Sequence, residues 1–220
     1  MPTDLPRALF LSGSPSDWPL GDLQLVVQRA DVAGVETLVV PDGIAPRDGG
    51  EAWPDALILM GWFAPQTRSI VLLGAVSSLG HQPYNLARRL ASLDLISRGR
   101  AGWVIADGDA DAEFAAFSGA NRLAGVDLAA RQREFETVVD GLWDSWDADA
   151  LLFDKEGGRF FEPSRLHSLN HQGEHFSVRG PLNVMRWQKG RPRMTRFDKL
   201  GPVTTVASAN AALALLGGGA

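Results

Sequence analysis

The chain has 220 residues, of which 45% are hydrophobic, and its formal net charge is −5. That length supports one sizeable core, either of a single domain or of a fragment of a larger one. The acidic balance excludes nucleic acids and anionic membrane surfaces as expected partners. The absence of cysteine excludes disulfides, thiolate metal sites and cysteine nucleophiles. Because no segment has the length of a membrane span or the pattern of a signal peptide, we expect a cytoplasmic protein.

Predicted strands and helices alternate in the first third of the chain. Apolar residues from Leu23 to Ala30 recur at the i, i+3, i+4, i+7 spacing of an amphipathic helix, and Gly34 follows as a C-terminal signal. Short apolar and β-branched runs predict buried strands. The predicted elements are, in order, a strand at 8–11, a helix at 20–33, a strand at 37–40, a helix at 52–63 and a strand at 69–76.

The rest of the chain repeats the alternation around one long interruption. Residues 147–202 are rich in glycine, proline and charge and predict an excursion with one hairpin, anchored by Phe160, Phe161, Phe176 and Val178. Alternating elements with fully apolar strands predict a parallel sheet covered by helices. The predicted elements are a helix at 83–97, a strand at 101–106, a helix at 128–146, a strand at 203–207 and a helix at 210–216.

Two stretches carry a more specific signal than the alternation does. One, at 83–103, reads PYNLARRLASLDLISRGRAGW; the other, at 142–184, joins Leu-Trp-Asp-Ser-Trp to Phe-x-x-Pro, His-x-x-x-His and Phe-x-Val-Arg-Gly-Pro-Leu-Asn-Val. Together they resemble the bacterial-luciferase-like flavin monooxygenases, in the subgroup of the nitrilotriacetate, EDTA, dibenzothiophene-sulfone and pristinamycin enzymes. The resemblance runs from about Leu23 to Pro192.

The resemblance implies a fold and a chemistry. The family fold is a (β/α)8 barrel with an insertion after the fourth unit. Its enzymes take reduced FMN from a separate flavin reductase and oxygenate a small organic substrate through a flavin C4a-(hydro)peroxide. Here about five parallel strands are predicted, so we expect an incomplete TIM-type (β/α) barrel in one domain, 1–220, with the insertion at 147–202. Exposed strand edges then predict a homo-oligomer.

Four residues are predicted to bind FMN because they match positions of the family pattern. Asp42 stands where the family has an acidic residue near the flavin ring, although an aspartate before Gly43 is equally typical of a turn. Ser77 and Ser78 stand where the family has a small hydroxyl residue after the third strand. If 203–207 is the strand that precedes the phosphate site, Ser208 is the remaining phosphate contact; otherwise it is a helix N-cap. No catalytic residue is predicted.

Two departures from the pattern leave the function open. Val104 replaces the family's flavin-contacting asparagine, and Ala129 replaces its phosphate-contacting tyrosine. One hypothesis is therefore an FMN-dependent monooxygenase, and the other is a degenerate flavin-binding or structural paralogue without catalysis. In either case we expect FMN to be weakly bound or lost. His167, His171 and His175 are four residues apart, but Pro163 and Gly173 argue against a helix, so no metal site is predicted.

Overall fold

A six-stranded parallel sheet forms the centre of the molecule. The computed structural model describes residues 5–43, 51–107, 110–118, 123–185, 187 and 189–217. The strands of this sheet are β1 (Ala8–Leu11), β2 (Thr37–Pro41), β3 (Val71–Ser77), β4 (Ala101–Ala106), β9 (Arg193–Arg196) and β10 (Val203–Val206), where β5 to β8 are short strands outside this sheet. The six strands lie in the order β10-β1-β2-β3-β4-β9, and all five pairings are parallel.

Six α-helices, short 3-10 helices and two β-hairpins lie outside the sheet in the described residues. The hairpins are antiparallel and come between β4 and β9 in the sequence. One pairs β5 (Leu151–Asp154) with β6 (Arg159–Phe161), and the other pairs β7 (His171–Gln172) with β8 (Ser177–Val178). No helix in the described ranges is long and apolar enough to cross a bilayer. The helices are α1 (Leu20–Ala33), α2 (Ala56–Phe63), α3 (Pro83–Ser97), α4 (Ala110–Ser118), α5 (Leu128–Trp143) and α6 (Ala209–Leu215).

The predicted α/β class and the incomplete barrel are confirmed, with six strands instead of five. The additional strand, β9, lies inside the predicted excursion and pairs with β4. The excursion is therefore shorter than 147–202. The strand at 203–206, β10, pairs with β1 and forms the edge of the sheet opposite β9. The order has two ends, β10 and β9, so the sheet formed by the described residues is open.

The two faces of the sheet are packed separately, as the alternation of side chains along a strand requires. On the outer face, Leu38, Leu72 and Trp103 join the helices in the main core. On the inner face, Val39, Leu73 and Val104 form a second cluster, against which Leu200 packs. The connection from β9 to β10 therefore contacts the inner face. This two-sided burial explains why the strands are apolar on both faces.

The two motifs that distinguish the sequence lie against each other. At the end of α5, the Trp143 indole donates to the Ala87 carbonyl of α3 at 3.0 Å. Trp146 donates to the Leu182 carbonyl at 2.8 Å, and the Ser145 hydroxyl accepts from the Leu182 amide at 3.0 Å. The helix ends at Trp143, three residues before the predicted end, and the residues that follow hold the Gly-Pro-Leu-Asn-Val segment in place.

The hairpin residues predicted as anchors divide into two groups. Phe176 is buried and Val178 packs against the main core, as predicted. Phe161 contacts the Trp146 ring at 5.4 Å between centroids. The prediction for Phe160 was wrong, because its side chain is half exposed and lies against Phe153 instead of the barrel. Hairpin β5–β6 therefore docks through the Phe161 ring and leaves the Phe153 and Phe160 rings half exposed to solvent.

Candidate functional site

Polar side chains gather where the central parallel strands end. The register pairs Pro41 with Ala75 and Ser77 with Ala106, so β2, β3 and β4 finish at one edge of the sheet. Asp42 follows β2, Ser77 ends β3 and Ser78 follows it, and His81 lies in the loop that leads to α3. In open parallel sheets and barrels, ligands bind at the carboxyl ends of the strands. This edge is therefore the candidate site.

Asp42 is fixed on both sides of its carboxylate. Its Oδ1 accepts a hydrogen bond from the Ala56 amide, the first residue of α2, at 3.0 Å. Its Oδ2 lies 3.6 Å from Nε2 of His81. The Asp42 and His81 side chains are 8% and 15% exposed. The predicted turn aspartate is thus a buried carboxylate that faces an imidazole.

The His81 ring has unused hydrogen-bonding capacity. Its Nε2 is buried, and no described residue lies within hydrogen-bonding geometry of it. Buried polar atoms in native proteins are normally satisfied. A bound molecule that offers an oxygen or an N–H group would satisfy this one.

The two predicted serines are engaged by different helices. The Ser77 hydroxyl donates to Glu113 Oε2 of α4 at 3.1 Å and accepts from the Leu79 amide at 3.1 Å. The Ser78 carbonyl accepts from Nη1 of Arg131, in α5, at 3.3 Å. Glu113 and Arg131 are both buried and charged. The structure therefore brings two charged side chains to the strand ends that the sequence pattern did not predict.

The Arg131 guanidinium is held between the sheet and the second hairpin. Its carbon lies 4.8 Å from the centroid of the Phe176 ring. Burial lowers the pKa of Arg131, and the neighbouring Glu134 carboxylate partly opposes that effect. The cation–π contact supports the charge from one face while leaving the edge N–H groups free for other partners.

Glu134 holds hairpin β7–β8 against α5. Its carboxylate accepts from His171 Nε2 at 3.0 Å and from the amides of His175 and Phe176 at 3.0 and 2.8 Å. Burial alone would raise the pKa of Glu134, but these hydrogen bonds outweigh it and lower the pKa. The hairpin in turn supplies the Phe176 ring beneath Arg131.

We expect Glu134→Gln to loosen this hairpin. The change removes charge-assisted hydrogen bonds, each worth about 1.5–3 kcal/mol. Hydrogen–deuterium exchange should therefore be faster at residues 171–178. Because the pKa of Glu134 is lowered, its stabilisation is present above the ordinary glutamate pKa and is lost as the pH falls through the lowered one. The exposed Glu174→Gln, in the same hairpin, is the control. Equal protection in both variants would contradict the role of Glu134.

The fourth predicted residue, Ser208, also lies at the carboxyl end of a strand, because β10 runs parallel to β1. Ser208 follows β10 and caps α6, with its hydroxyl accepting from the Ala211 amide at 3.2 Å. The neighbour of β4 is β9 instead of β10, and the phosphate contact of Ser208 stays a prediction. Val104 is fully buried in the inner cluster, and Ala129 is exposed near the start of α5.

The three histidines at 167, 171 and 175 do not converge. His167 pairs with Asp147 at 3.1 Å, whereas His171 pairs with Glu134. The described residues contain no group of three or more histidine, cysteine or acidic side chains that could hold a metal ion. The arrangement at the strand ends is instead carboxylate, imidazole, hydroxyl and guanidinium.

A parallel sheet with a polar cluster at its carboxyl ends is the arrangement of barrel-type α/β enzymes. The sequence model that describes the luciferase-like monooxygenase family matches residues 9–218 of the chain. The chain therefore belongs to that family, and the resemblance seen in the two motifs is confirmed.

Individual relatives support the same subgroup. The chain is 40% identical to N-acetyl-S-(2-succino)cysteine monooxygenase of Bacillus subtilis (strain 168) over 153 residues. This aligned region covers 70% of the chain and 35% of the relative. It is 39% identical over 202 residues to nitrilotriacetate monooxygenase component A of Aminobacter aminovorans, which covers 84% of the chain and 45% of the relative. The chain thus spans less than half the length of these relatives.

Solved structures show the same fold. A riboflavin lyase, determined with modified FMN and the substrate riboflavin, matches with a TM-score of 0.72 and 27% identity, over 87% of this chain and 49% of that one. The EDTA monooxygenase of Chelativorans sp. BNC1 matches with a TM-score of 0.70 and 25% identity, over 86% and 48%. The family is flavin-dependent, so FMN is the cofactor to test against the site.

The residues at the strand ends fit such a cofactor. A flavin ring presents both carbonyl oxygens and N–H groups, and the buried His81 Nε2 and the Asp42 carboxylate are partners for them. A phosphate requires a cation or amide donors. Arg131 provides a cation at this edge. The side chains that fit the cofactor are Asp42 after β2, Ser77 at the end of β3, His81 in the loop after β3, and Arg131 in α5.

Proposed function

We propose that the chain is the flavin-binding oxygenase part of an FMN-dependent monooxygenase that acts on a small organic substrate. The observation that carries the proposal is the cluster of Asp42, His81, Ser77 and Arg131 at the carboxyl ends of the strands. This cluster contains a buried hydrogen-bonding atom, Nε2 of His81, and a cation, Arg131. The chain belongs to a flavin-dependent family.

Each residue has a defined part in this proposal. When bound, reduced FMN supplies the electrons that activate dioxygen. The Asp42 carboxylate, fixed by the Ala56 amide, would accept a hydrogen bond from an N–H group of the ring and so orient it. His81 holds or accepts a proton at Nε2, since that atom has no hydrogen-bond partner among the described residues and lies 3.6 Å from Oδ2 of Asp42. The apolar inner cluster beneath the site excludes water.

Partners are proposed by analogy with the relatives. The nitrilotriacetate relative is component A of its monooxygenase, and we infer that a separate flavin reductase supplies reduced FMN to this chain. The names of the relatives give substrates that range from N-acetyl-S-(2-succino)cysteine, a thioether, to dibenzothiophene sulfone. We also propose a homo-oligomer, because hairpin β5–β6 leaves Phe153 and Phe160 about half exposed.

One observation favours the second candidate, a flavin-binding protein without turnover. Val104, which replaces the family's asparagine, packs with Val39 and Leu73 inside the sheet and offers no hydrogen bond. Both candidates bind flavin. They differ in whether reduced FMN and oxygen lead to a product.

Titration with FMN, first oxidised and then reduced without oxygen, tests the proposal. We expect a Kd weaker than about 1 μM, because a missing hydrogen bond to the flavin costs about 0.5–1.5 kcal/mol, and more at a charged group. Asp42→Asn should weaken binding by about tenfold. The matched control is Asp22→Asn, which removes an exposed carboxylate on α1. Ser78→Ala should also weaken binding if the Ser78 hydroxyl contacts the flavin, and it leaves the backbone carbonyl that contacts Arg131 in place.

The outcomes separate the candidates. Failure to bind either form of FMN at millimolar concentration would exclude both. Binding with coupled oxygen consumption on a panel of sulfones and amino-acid thioethers supports the monooxygenase. Binding without product over that panel supports the non-catalytic protein. A Kd unchanged by Asp42→Asn would show that the ring lies elsewhere.

A further inference from the structure

The Arg131 guanidinium is a buried cation with few partners. The residue is 8% exposed. Its only hydrogen bond to a described residue is the 3.3 Å contact with the Ser78 carbonyl, and no described carboxylate lies within 4.0 Å of it. A buried charge is costly unless it is paired. The fold therefore maintains an under-partnered cation at the carboxyl-end edge of the sheet.

The position of this cation is defined by the fold. The Phe176 ring supports one face of the guanidinium. Phe176 is itself fixed, because its amide donates to Glu134. The N-terminus of α5 is already occupied by a carboxylate, since Asp127 accepts from the amides of Ala129 and Ala130. An anion at this place would thus meet the arginine side chain and not the helix terminus.

We propose that Arg131 binds the phosphate of FMN. The proposal rests on the proposed flavin function. A planar guanidinium with free edge N–H groups suits two phosphate oxygens at once, and a buried or pre-ordered arginine loses little freedom when it does so. Phosphate is the dianionic part of FMN, so it gains most from this charge. Arg131 would then supply the contact that Ala129 does not.

The alternative is that Arg131 only joins Ser78 to the hairpin. In that case its loss would affect stability and every flavin equally. Riboflavin distinguishes the two, because it has the ring and the ribityl chain of FMN but lacks the phosphate. Selective loss of FMN affinity is the signature of a phosphate contact.

The experiment is isothermal titration of the whole chain with FMN and with riboflavin. Arg131→Met keeps the aliphatic volume and removes the charge, Arg131→Lys keeps the charge, and Arg133→Met is the matched control on the same helix. We expect Arg131→Met to raise the Kd for FMN about 10- to 100-fold and the Kd for riboflavin less than about twofold. Arg131→Lys should be intermediate, and Arg133→Met unchanged.

A measurement on the unmodified protein guards against variants that fail to fold. Inorganic phosphate should compete with FMN and leave riboflavin binding unchanged. Equal affinities for FMN and riboflavin would overturn the proposal, as would an equal loss of both in Arg131→Met. FMN binding that survives Arg131→Met would overturn this inference and leave the proposed function standing. If the unmodified protein binds neither flavin, the proposed function fails and the inference fails with it.

Discussion

Phe135→Ala should destabilise the protein by about 3–5 kcal/mol, the cost of removing a large aromatic side chain from a packed core. Phe135 is fully buried in α5. Its ring meets Trp103 of β4 at 5.7 Å and Phe176 of the second hairpin at 5.5 Å between centroids. The ring therefore joins the sheet, the helix that carries Arg131, and the hairpin that supports it.

Urea unfolding of Phe135→Ala, compared with Phe160→Ala, measures this effect. Phe160 is half exposed, so its loss should cost less than about 1 kcal/mol. Phe135→Leu should fall between the two, because it leaves a smaller cavity. Equal midpoints for the Phe135 and Phe160 variants would show that α5 does not dock on the sheet through this ring.

The second large effect concerns the pH dependence of stability. Asp94, in α3, is 1% exposed, and neither of its oxygens has a hydrogen bond of good geometry to a described residue. Burial raises its pKa from 3.8 to about 6, against a weaker opposing pull from the Ala101 amide and the Arg193 guanidinium. The folded state therefore binds this proton more tightly than the unfolded state.

The sign of the effect follows from linkage. A raised carboxyl pKa gives stability that is complete below the unfolded value, near 3.8, and lost as the pH rises through about 6. A shift of this size is worth about 3 kcal/mol at most. Asp94→Asn mimics the neutral form, so we expect it to be more stable than the unmodified protein at pH 7.5 by up to about 3 kcal/mol and nearly equal to it at pH 4.

Urea unfolding of both proteins across this pH range gives the test. Asp31, Asp55 and Glu134 have lowered pKa values and give the opposite slope, but they are present in both proteins and cancel in the comparison. Asp22→Asn, on the surface of α1, controls for the change in net charge. If Asp94→Asn is less stable than the unmodified protein at pH 7.5, then Asp94 is an ionised partner of Arg193, contrary to the expectation.

The spacing of apolar residues was sufficient to predict the bounds of the elements in which that spacing is most regular. The bounds of α1 and α3 and of β1 and β4 agree with those predicted. Helix α2 begins at Ala56, four residues later than predicted, because Asp55 caps it by accepting from the Leu57 and Ile58 amides. The same side chain receives Arg89 of α3 at 2.6 Å. A cap that is shared with a tertiary partner is not visible in the spacing of apolar residues.

Strand β9 was missed for a different reason. Its sequence, Arg-Met-Thr-Arg, has no buried run that would identify a strand. It forms because β4 offers an open edge, with Gly102 paired to Arg193. A Cβ on Gly102 would lie within 2.8 Å of the Arg193 backbone and side chain, so the glycine permits the close approach. Pairing with a distant edge thus determined this strand more than its own composition did.

The amino-acid sequence alone predicts the alternation of strands and helices, the family, and the position of Asp42, Ser77 and Ser78 at the carboxyl ends of strands. Each of these predictions rests on residues that are close together in the chain. Which other side chains join the site depends on tertiary packing. His81 faces Asp42 although the two are 39 residues apart in the sequence, and Arg131 donates to the carbonyl of Ser78, 53 residues before it. Local propensity acts over a few residues, whereas the charge environment of a site depends on which helices pack over the strand ends. The chemistry of this site is therefore a property of the fold.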